Sequence, residues 1–267
     1  MTQPRMTVRF AAVTHPGLVR PDNEDACLAV PPVFLVADGM GGHEGGERAS
    51  GEVRRRFQES CAGEWLSGAE ITRIVRRAAD NIESLEHRGR PPGSTVAGVA
   101  LARYAGTPCW LVFNIGDSRV YLMRSGELRQ ISVDHSVGSH SGKGDRPRLT
   151  RALGAGLGSP VADQWLIRAR VGDRMLVCTD GLSNAVEREQ LAAAMVGDDD
   201  PQETVQRLLD EALAAGGRDN VSLAVVDCLE VIQVAGGELD DVMSLDESEE
   251  ETVSWNHDDT IPDPEGK

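Results

Sequence analysis

The chain has 267 residues, a formal net charge of −16, 40% apolar residues and only 4% aromatic ones, so an aliphatic core of one large or two small domains is within reach. The charge excludes a nucleic-acid backbone or an anionic membrane as the main partner. No apolar stretch approaches the roughly 18 residues of a membrane span, and the opening MTQPRMTVRF holds no apolar signal region, so the expectation is a soluble, cytoplasmic monomer.

Residues 7–14 (TVRFAAVT), 26–30 and 33–37 read as strands, being β-branched or apolar and bounded by Gly, Pro or Asp. Helical patterns follow at 45–60 and 69–87. Strands resume at 95–104, 109–115 and 118–123, and VYLMRSGELRQI reads as a hairpin turning at Ser125-Gly126. The stretch 134–148, DHSVGSHSGKGDRPR, has no apolar period and reads as a flexible loop. Strands near 164–170 and 174–178, helices at 187–196 and 202–215, and a strand at 221–227 complete the pattern. The last helix is well punctuated: Asp200 can cap it, Pro201 suits its first turn, Glu203 stands in the capping-box position and Gly216 can end it.

After Val234 the apolar pattern gives out. From Glu230 to Lys267 thirteen acids stand against one lysine, so this segment carries −12 of the net charge and the rest of the chain only −4. We expect one domain over residues 1–230 and an acidic tail over 231–267 with the composition of disordered segments. The five cysteines, Cys27, Cys61, Cys109, Cys178 and Cys228, are far apart and contain no C-x-x-C, which predicts reduced thiols in an intracellular protein.

The stretch VFLVADGMGGH (33–43) stops an apolar run at Asp38 and continues in glycines. It reads either as a tight turn or as backbone that must pass close to a ligand. The dinucleotide fingerprint fails, because Glu44 stands where its last glycine is needed, and no phosphate-binding P-loop pattern occurs. Asp38 has company: CWLVFNIGD leads to Asp117, RMLVCTD to Asp180, and GGRDNVSLAVV starts at Asp219. If the strand after Asp219 runs antiparallel to the others, all four acids lie at one end of a sheet. A pair of like charges at ~4 Å costs about 4 kcal/mol at an effective dielectric of 20. On spacing alone two readings stand: four separate turns, or a cation site whose all-oxygen ligands suit Mg²⁺ or Mn²⁺.

Eight motifs in order, GLVRPDNED (17–25), VADGMGGH (36–43), GST (93–95), NIGDSRVY (114–121), DHS (134–136), LTRALG (149–154), CTDGLS (178–183) and GGRDNVS (216–222), resemble the metal-dependent protein phosphatase family of the protein phosphatase 2C type, in its bacterial form. The resemblance implies an α+β fold, a four-layer α-β-β-α sandwich of two antiparallel sheets flanked by helices. It implies a serine/threonine phosphatase whose hydroxide, held between two Mn²⁺ or Mg²⁺ ions, attacks phosphorus directly. It assigns Asp38 to bridge the two metals, the Gly39 carbonyl to one of them, and Asp180 and Asp219 to the second. Asp117 with Asp180 would hold a third, weaker ion. Glu24 and Asp25 would order metal-bound waters, Arg20 would bind the substrate phosphate, and Asn220 would support the Asp219 turn.

Two departures from the family pattern matter. Met40 stands where many eukaryotic relatives carry a histidine proposed as general acid, so the group that protonates the leaving oxygen is unassigned. The flap between DHS and LTRALG, Val137–Arg148, is short and rich in Gly, Ser and charge, which puts inference about substrates there in doubt. His43 is not assigned to catalysis, and His135 reads as structural. The resemblance further implies phosphoprotein partners that are substrates of a serine/threonine kinase. The alternatives are a phosphatase dedicated to one bacterial regulatory phosphoprotein of the anti-anti-sigma type, and a pseudophosphatase binding module. The latter predicts loss of a metal acid, yet Asp38, Asp180 and Asp219 are all present. In the tail, Thr260 with Asp263 three residues on resembles a phosphothreonine ligand of forkhead-associated domains; a plain solvating tail is the alternative.

Overall fold

A computed structural model of the chain describes residues 3–42, 44–87, 89–138, 148–157, 161–197, 199–233 and 242–244. In chain order the elements are β1 (Arg5–His15), β2 (Asp25–Val30), β3 (Val33–Met40), α1 (Glu44–Gln58), α2 (Gly68–Glu83), β4 (Gly93–Ser94), β5 (Val96–Tyr104), β6 (Thr107–Ile115), β7 (Arg119–Arg124) and β8 (Glu127–Gln130). There follow β9 (Ser136–Val137), β10 (Arg148–Leu149), β11 (Leu153–Gly154), β12 (Asp163–Arg168), β13 (Arg174–Cys178), α3 (Asp180–Ser183), α4 (Arg188–Met195), α5 (Pro201–Ala214), β14 (Val221–Ile232) and β15 (Val242–Ser244).

Two antiparallel sheets face each other. One has the order β1-β14-β13-β7-β8; the other runs β11-β4-β3-β5-β6-β12-β15, with β2 paired to β3. Alternation along the strands sorts the apolar side chains into three cores. Between the sheets lie Phe34, Val36, Val99, Trp110 and Val112 from one and Val120, Leu122, Met175, Val177 and Val226 from the other. The outer face of the larger sheet packs Leu35, Leu111 and Phe113 against Val53 and Phe57 of α1 and Ile71, Val75 and Ile82 of α2. The outer face of the smaller sheet packs Leu176, Leu223 and Val225 against Leu191 of α4 and Val205 and Leu208 of α5. The layers are therefore helix, sheet, sheet, helix, as the resemblance implies.

Local chemistry explains the element ends. Ser67 caps α2 in a reciprocal capping box with Glu70, whose carboxylate accepts the Ser67 N–H at 2.9 Å. Asp200 caps α5 by accepting the Gln202 N–H at 2.8 Å, with Pro201 in the first turn. The β7–β8 hairpin turns at Ser125 and Gly126, both at positive φ, which matches the right-handed strand twist. The five cysteines are free thiols. Among the described residues no helix is long and apolar enough to cross a membrane.

Two expectations are adjusted. The tail was placed from residue 231, but β14 runs on to Ile232 paired with Arg5, and residues 242–244 add an edge strand to β12. The open edge of β12 offers backbone donors and acceptors that a short extended run can take up. The loop at 134–148 closes at its ends, where Ser136 and Val137 pair with Leu149 and Arg148. Asp180 opens a one-turn helix, too short to carry an apolar period. His43, the flap residues 139–147 and Thr260 lie outside the described residues.

Candidate metal and phosphate site

Strand direction gathers the acids. β3 and β6 both run antiparallel to β5, so Asp38 near the end of β3 and Asp117 after the end of β6 lie at the same edge of the larger sheet. In the smaller sheet β14 runs antiparallel to β13, which puts Asp219, before β14, beside Asp180, after β13. The antiparallel condition read from the sequence holds for β13 and β14, but the four acids are divided between the two sheets rather than set at one end of a single sheet. A fifth acid joins them, because Asp25 on β2 stands directly opposite Asp38 on β3.

These carboxylates repel one another. Asp38 is held well above the usual carboxylate range, first by burial and then by the charges of Asp25, Asp180, Asp117 and Asp219. Asp25 is pushed up to about 7 by burial, against the pull of hydroxyls on Ser222 and Thr179 and with a further push from Asp180 and Asp219. Asp117 is pushed up to about 6 by burial and by Asp180.

Glycines let the chain close in around the acids. A Cβ on Gly39 would lie 2.2 Å from the Gly46 carbonyl oxygen and 2.4 Å from that of Glu24. One on Gly181 would lie 1.9 Å from the Asn220 carbonyl oxygen. Gly39 N–H donates to Glu24 O at 3.1 Å, and Ser50 Oγ donates to the same oxygen at 2.6 Å, so β3, the β2 approach and α1 are tied together at the acids. The Glu24 side chain lies over Gly46 in the first turn of α1, where a Cβ would come within 2.6 Å of Oε1.

Arg20 enters from the loop between β1 and β2. Its Nη2 donates to Asp219 Oδ2 at 2.8 Å, and its side chain is 36% exposed. Asp219 Oδ1 also accepts the Asn220 N–H at 3.0 Å. The Asn220 side chain does something other than brace that turn. Its Nδ2 donates to Pro16 O and Asp22 O, both at 2.9 Å, and its Oδ1 accepts the Glu24 N–H at 2.9 Å. Asn220 staples the Arg20 loop to the start of β14, because three loop groups match its donors and acceptor.

Several hydroxyls to which the sequence motifs assign no role also hold the site together. Thr179 Oγ1 donates to Asp25 Oδ2 at 2.9 Å and accepts the Ser222 N–H at 3.0 Å, bridging the two sheets at the site. Thr95 Oγ1 accepts the Asp38 N–H at 2.9 Å, and Thr95 N–H donates to Asp38 O at 2.9 Å. The sequence signal was there in GST, CTD and NVS, where a hydroxyl residue neighbours each turn.

His135 is a post behind the site. Its Nδ1 accepts the Gly116 N–H at 3.1 Å, its own N–H donates to Gly116 O at 2.9 Å, and Nε2 lies 2.9 Å from Asp163 Oδ2. With Nδ1 accepting, Nε2 carries the proton and donates to Asp163. This fixes the turn that carries Asp117.

The donor set fits hard cations. It is all oxygen, and its like charges repel one another. Among the described residues no three His, Cys, Asp or Glu side chains come together closely enough to hold an ion by themselves. Mg²⁺ and Mn²⁺ favour such sparse carboxylate sets, since Mg²⁺ keeps several waters and takes one or two carboxylates per ion. Asp38, Asp180 and Asp219 would hold the cations, with Asp25 behind Asp38.

A consequence for stability follows. Raised carboxylate pKa values oppose ionisation in the fold, so the penalty is absent below the unfolded value of about 3.9 and grows as pH rises towards the folded values. A divalent cation removes it. A fixed Mn²⁺ concentration, about a hundred times the Kd at pH 8, should raise Tm by about 5–10 °C near pH 8 and by clearly less near pH 5, where protonated carboxylates weaken the binding. Thermal denaturation with and without Mn²⁺ at the two pH values measures this; equal shifts would contradict the carboxylate origin.

Known proteins resemble the chain over most of its length. A family model for protein phosphatase 2C matches residues 17–215. The serine/threonine protein phosphatase PstP of Mycobacterium tuberculosis is 34% identical over 251 residues, covering 86% of this chain and 47% of the relative. The chain thus spans about half the length of that relative. The serine/threonine phosphatase stp of Listeria welshimeri is 28% identical over 244 residues, covering 80% of this chain and 93% of the relative. Among solved structures, that of M. tuberculosis PstP/Ppp superposes with a TM-score of 0.75 at 33% identity, covering 84% of this chain and 99% of that one. The catalytic domain of PstP in complex with two manganese ions gives 0.74 at 32% identity, covering 85% and 100%.

Proposed function

The chain belongs to the protein phosphatase 2C family, and from that premise we propose that it hydrolyses phosphoserine and phosphothreonine in proteins with Mn²⁺ or Mg²⁺ as cofactor. The observation that carries this reading is the convergence of Asp38, Asp180 and Asp219 with Arg20, whose guanidinium lies 2.8 Å from Asp219. Divalent ions, when bound, supply counter-charge for these acids and the Lewis acidity that activates water and screens phosphoryl oxygens.

The chain's own residues do the rest. Arg20 stands at the mouth of the site, partly exposed. A guanidinium has five N–H donors in a planar fork, and the contact to Asp219 uses one nitrogen, so the fork can orient a phosphoryl group. Asn220 holds the loop that aims it. Thr179 and Thr95 fix Asp25 and the backbone of Asp38. No thiol is placed for attack: Cys178, next in the chain but one to Asp180, is fully buried and its thiol is pushed up to about 12 by burial. A phosphoenzyme on cysteine is therefore not part of this reading.

The test is p-nitrophenyl phosphate and phosphopeptide hydrolysis with Mn²⁺ and with EDTA. Turnover that requires the cation supports the reading. Absence of turnover in well-folded protein with Mn²⁺, or turnover undiminished by EDTA, sinks it.

A further inference from the structure

The loop that carries Arg20 also presents two apolar side chains to solvent. Leu18 and Val19 are 64% and 66% exposed. The loop is tightly anchored. Leu18 N–H donates to Gly217 O at 2.7 Å, Gly17 N–H donates to His15 Nδ1 at 2.9 Å, and the Asn220 amide holds Pro16 O and Asp22 O. Gly17 has a φ of +79°, and a Cβ there would lie 2.2 Å from the Asp219 carbonyl oxygen. A Cβ on Gly217 would lie 2.9 Å from Leu18 Cγ, so Leu18 rests on the same turn that carries Asp219.

Single exposed aliphatic residues are ordinary. This pair differs in its place. Its backbone is anchored, it is immediately before Arg20 in the chain, and Leu18 lies against the turn that positions Asp219. A rigid scaffold that fixes an exposed loop is how binding residues are displayed. A loop whose backbone is already anchored loses little backbone conformational entropy when it is covered.

The geometry points to Leu18 and Val19 as a substrate-recognition platform. They receive an apolar side chain flanking the phosphorylated residue of a protein substrate, while Arg20 receives its phosphoryl group. This rests on the phosphatase reading. A phosphoryl group at Arg20 sets the substrate backbone about one side-chain length away, and the adjoining substrate residue then falls over the neighbours of Arg20. Covering about half of a Leu or Val side chain corresponds to a preference of about fivefold. The platform therefore favours phosphopeptides with Ile, Leu or Val beside the phosphoresidue.

The experiment compares two phosphothreonine peptides that differ only in Ile or Ser on both sides of the phosphothreonine, with Mn²⁺ present. The wild type should show a kcat/KM ratio of about fivefold or more in favour of Ile. Leu18→Ser combined with Val19→Ser should bring the ratio below about twofold, and the near-isosteric Val19→Thr should give an intermediate value, with Tm confirming that both variants fold. A wild type without the preference, or a double variant that retains it, overturns the platform. A concentration-dependent dimer that the double variant abolishes, with the peptide ratio unchanged, would assign the pair to a second copy of the chain and also overturn it. If the wild type turns over neither peptide nor p-nitrophenyl phosphate, the phosphatase reading itself has failed and the platform falls with it.

Discussion

Asp38→Asn should reduce turnover of p-nitrophenyl phosphate by about a thousandfold or more, the scale on which preorganised electrostatic groups act. The same variant, freed of divalent cation, should melt higher than the wild type near pH 8. Both effects have one cause. Asp38 stands opposite Asp25, and its ionisation is opposed by burial and by four neighbouring acids. Asparagine keeps the shape and removes the charge, so the fold gains what the cation site loses, a trade of stability against function. Since the folded pKa is raised, the gain appears as pH rises above the unfolded value and is small near pH 4. Retained turnover, or a lower Tm in EDTA at pH 8, would contradict the placement of Asp38 at the centre of the cluster.

Arg20→Ala should raise KM for a phosphopeptide by about 10- to 100-fold, the equivalent of charge-assisted hydrogen bonds worth about 1.5–3 kcal/mol, with a smaller change in kcat. Arg20→Lys should recover little, because the ammonium lacks the planar fork. The contact to Asp219 adds a second expectation. Removing the guanidinium takes a positive charge away from a carboxylate assigned to a cation, so Mn²⁺ should bind more tightly to Arg20→Ala than to the wild type. An unchanged KM together with weaker Mn²⁺ binding would make Arg20 a support for Asp219 and remove it from phosphate recognition.

Much of this was legible because the long elements carry strong periods. α2 shows buried Ile71, Ile74, Val75, Ala78 and Ile82 at helical spacing, and the strands that lead to the acids are continuous apolar runs ended by Asp. The antiparallel arrangement that gathers Asp38, Asp117, Asp180 and Asp219 followed once strand order was granted. What stayed out of sight lacks a period or depends on long-range pairing. β4, β9, β10 and β11 have two residues each, and α3 has four. The resemblance put Asp25 near the site, but its place directly opposite Asp38 depends on the β2–β3 register. Asn220 looked like a turn residue, and its true contacts lie about 200 positions away in the chain, at Pro16, Asp22 and Glu24. The edge strand at 242–244 sits inside an acidic composition that gives no hint of pairing with β12.

The wild type and Asp38→Asn also carry the most direct test of the central claim, that these acids are a divalent-cation site. Calorimetric titration of Mn²⁺ into metal-free protein near neutral pH should show uptake of about two ions per chain by the wild type, as a two-metal hydrolase requires, and a loss of tight binding in Asp38→Asn. No measurable uptake by folded wild type, or the same uptake by both proteins, would contradict the account.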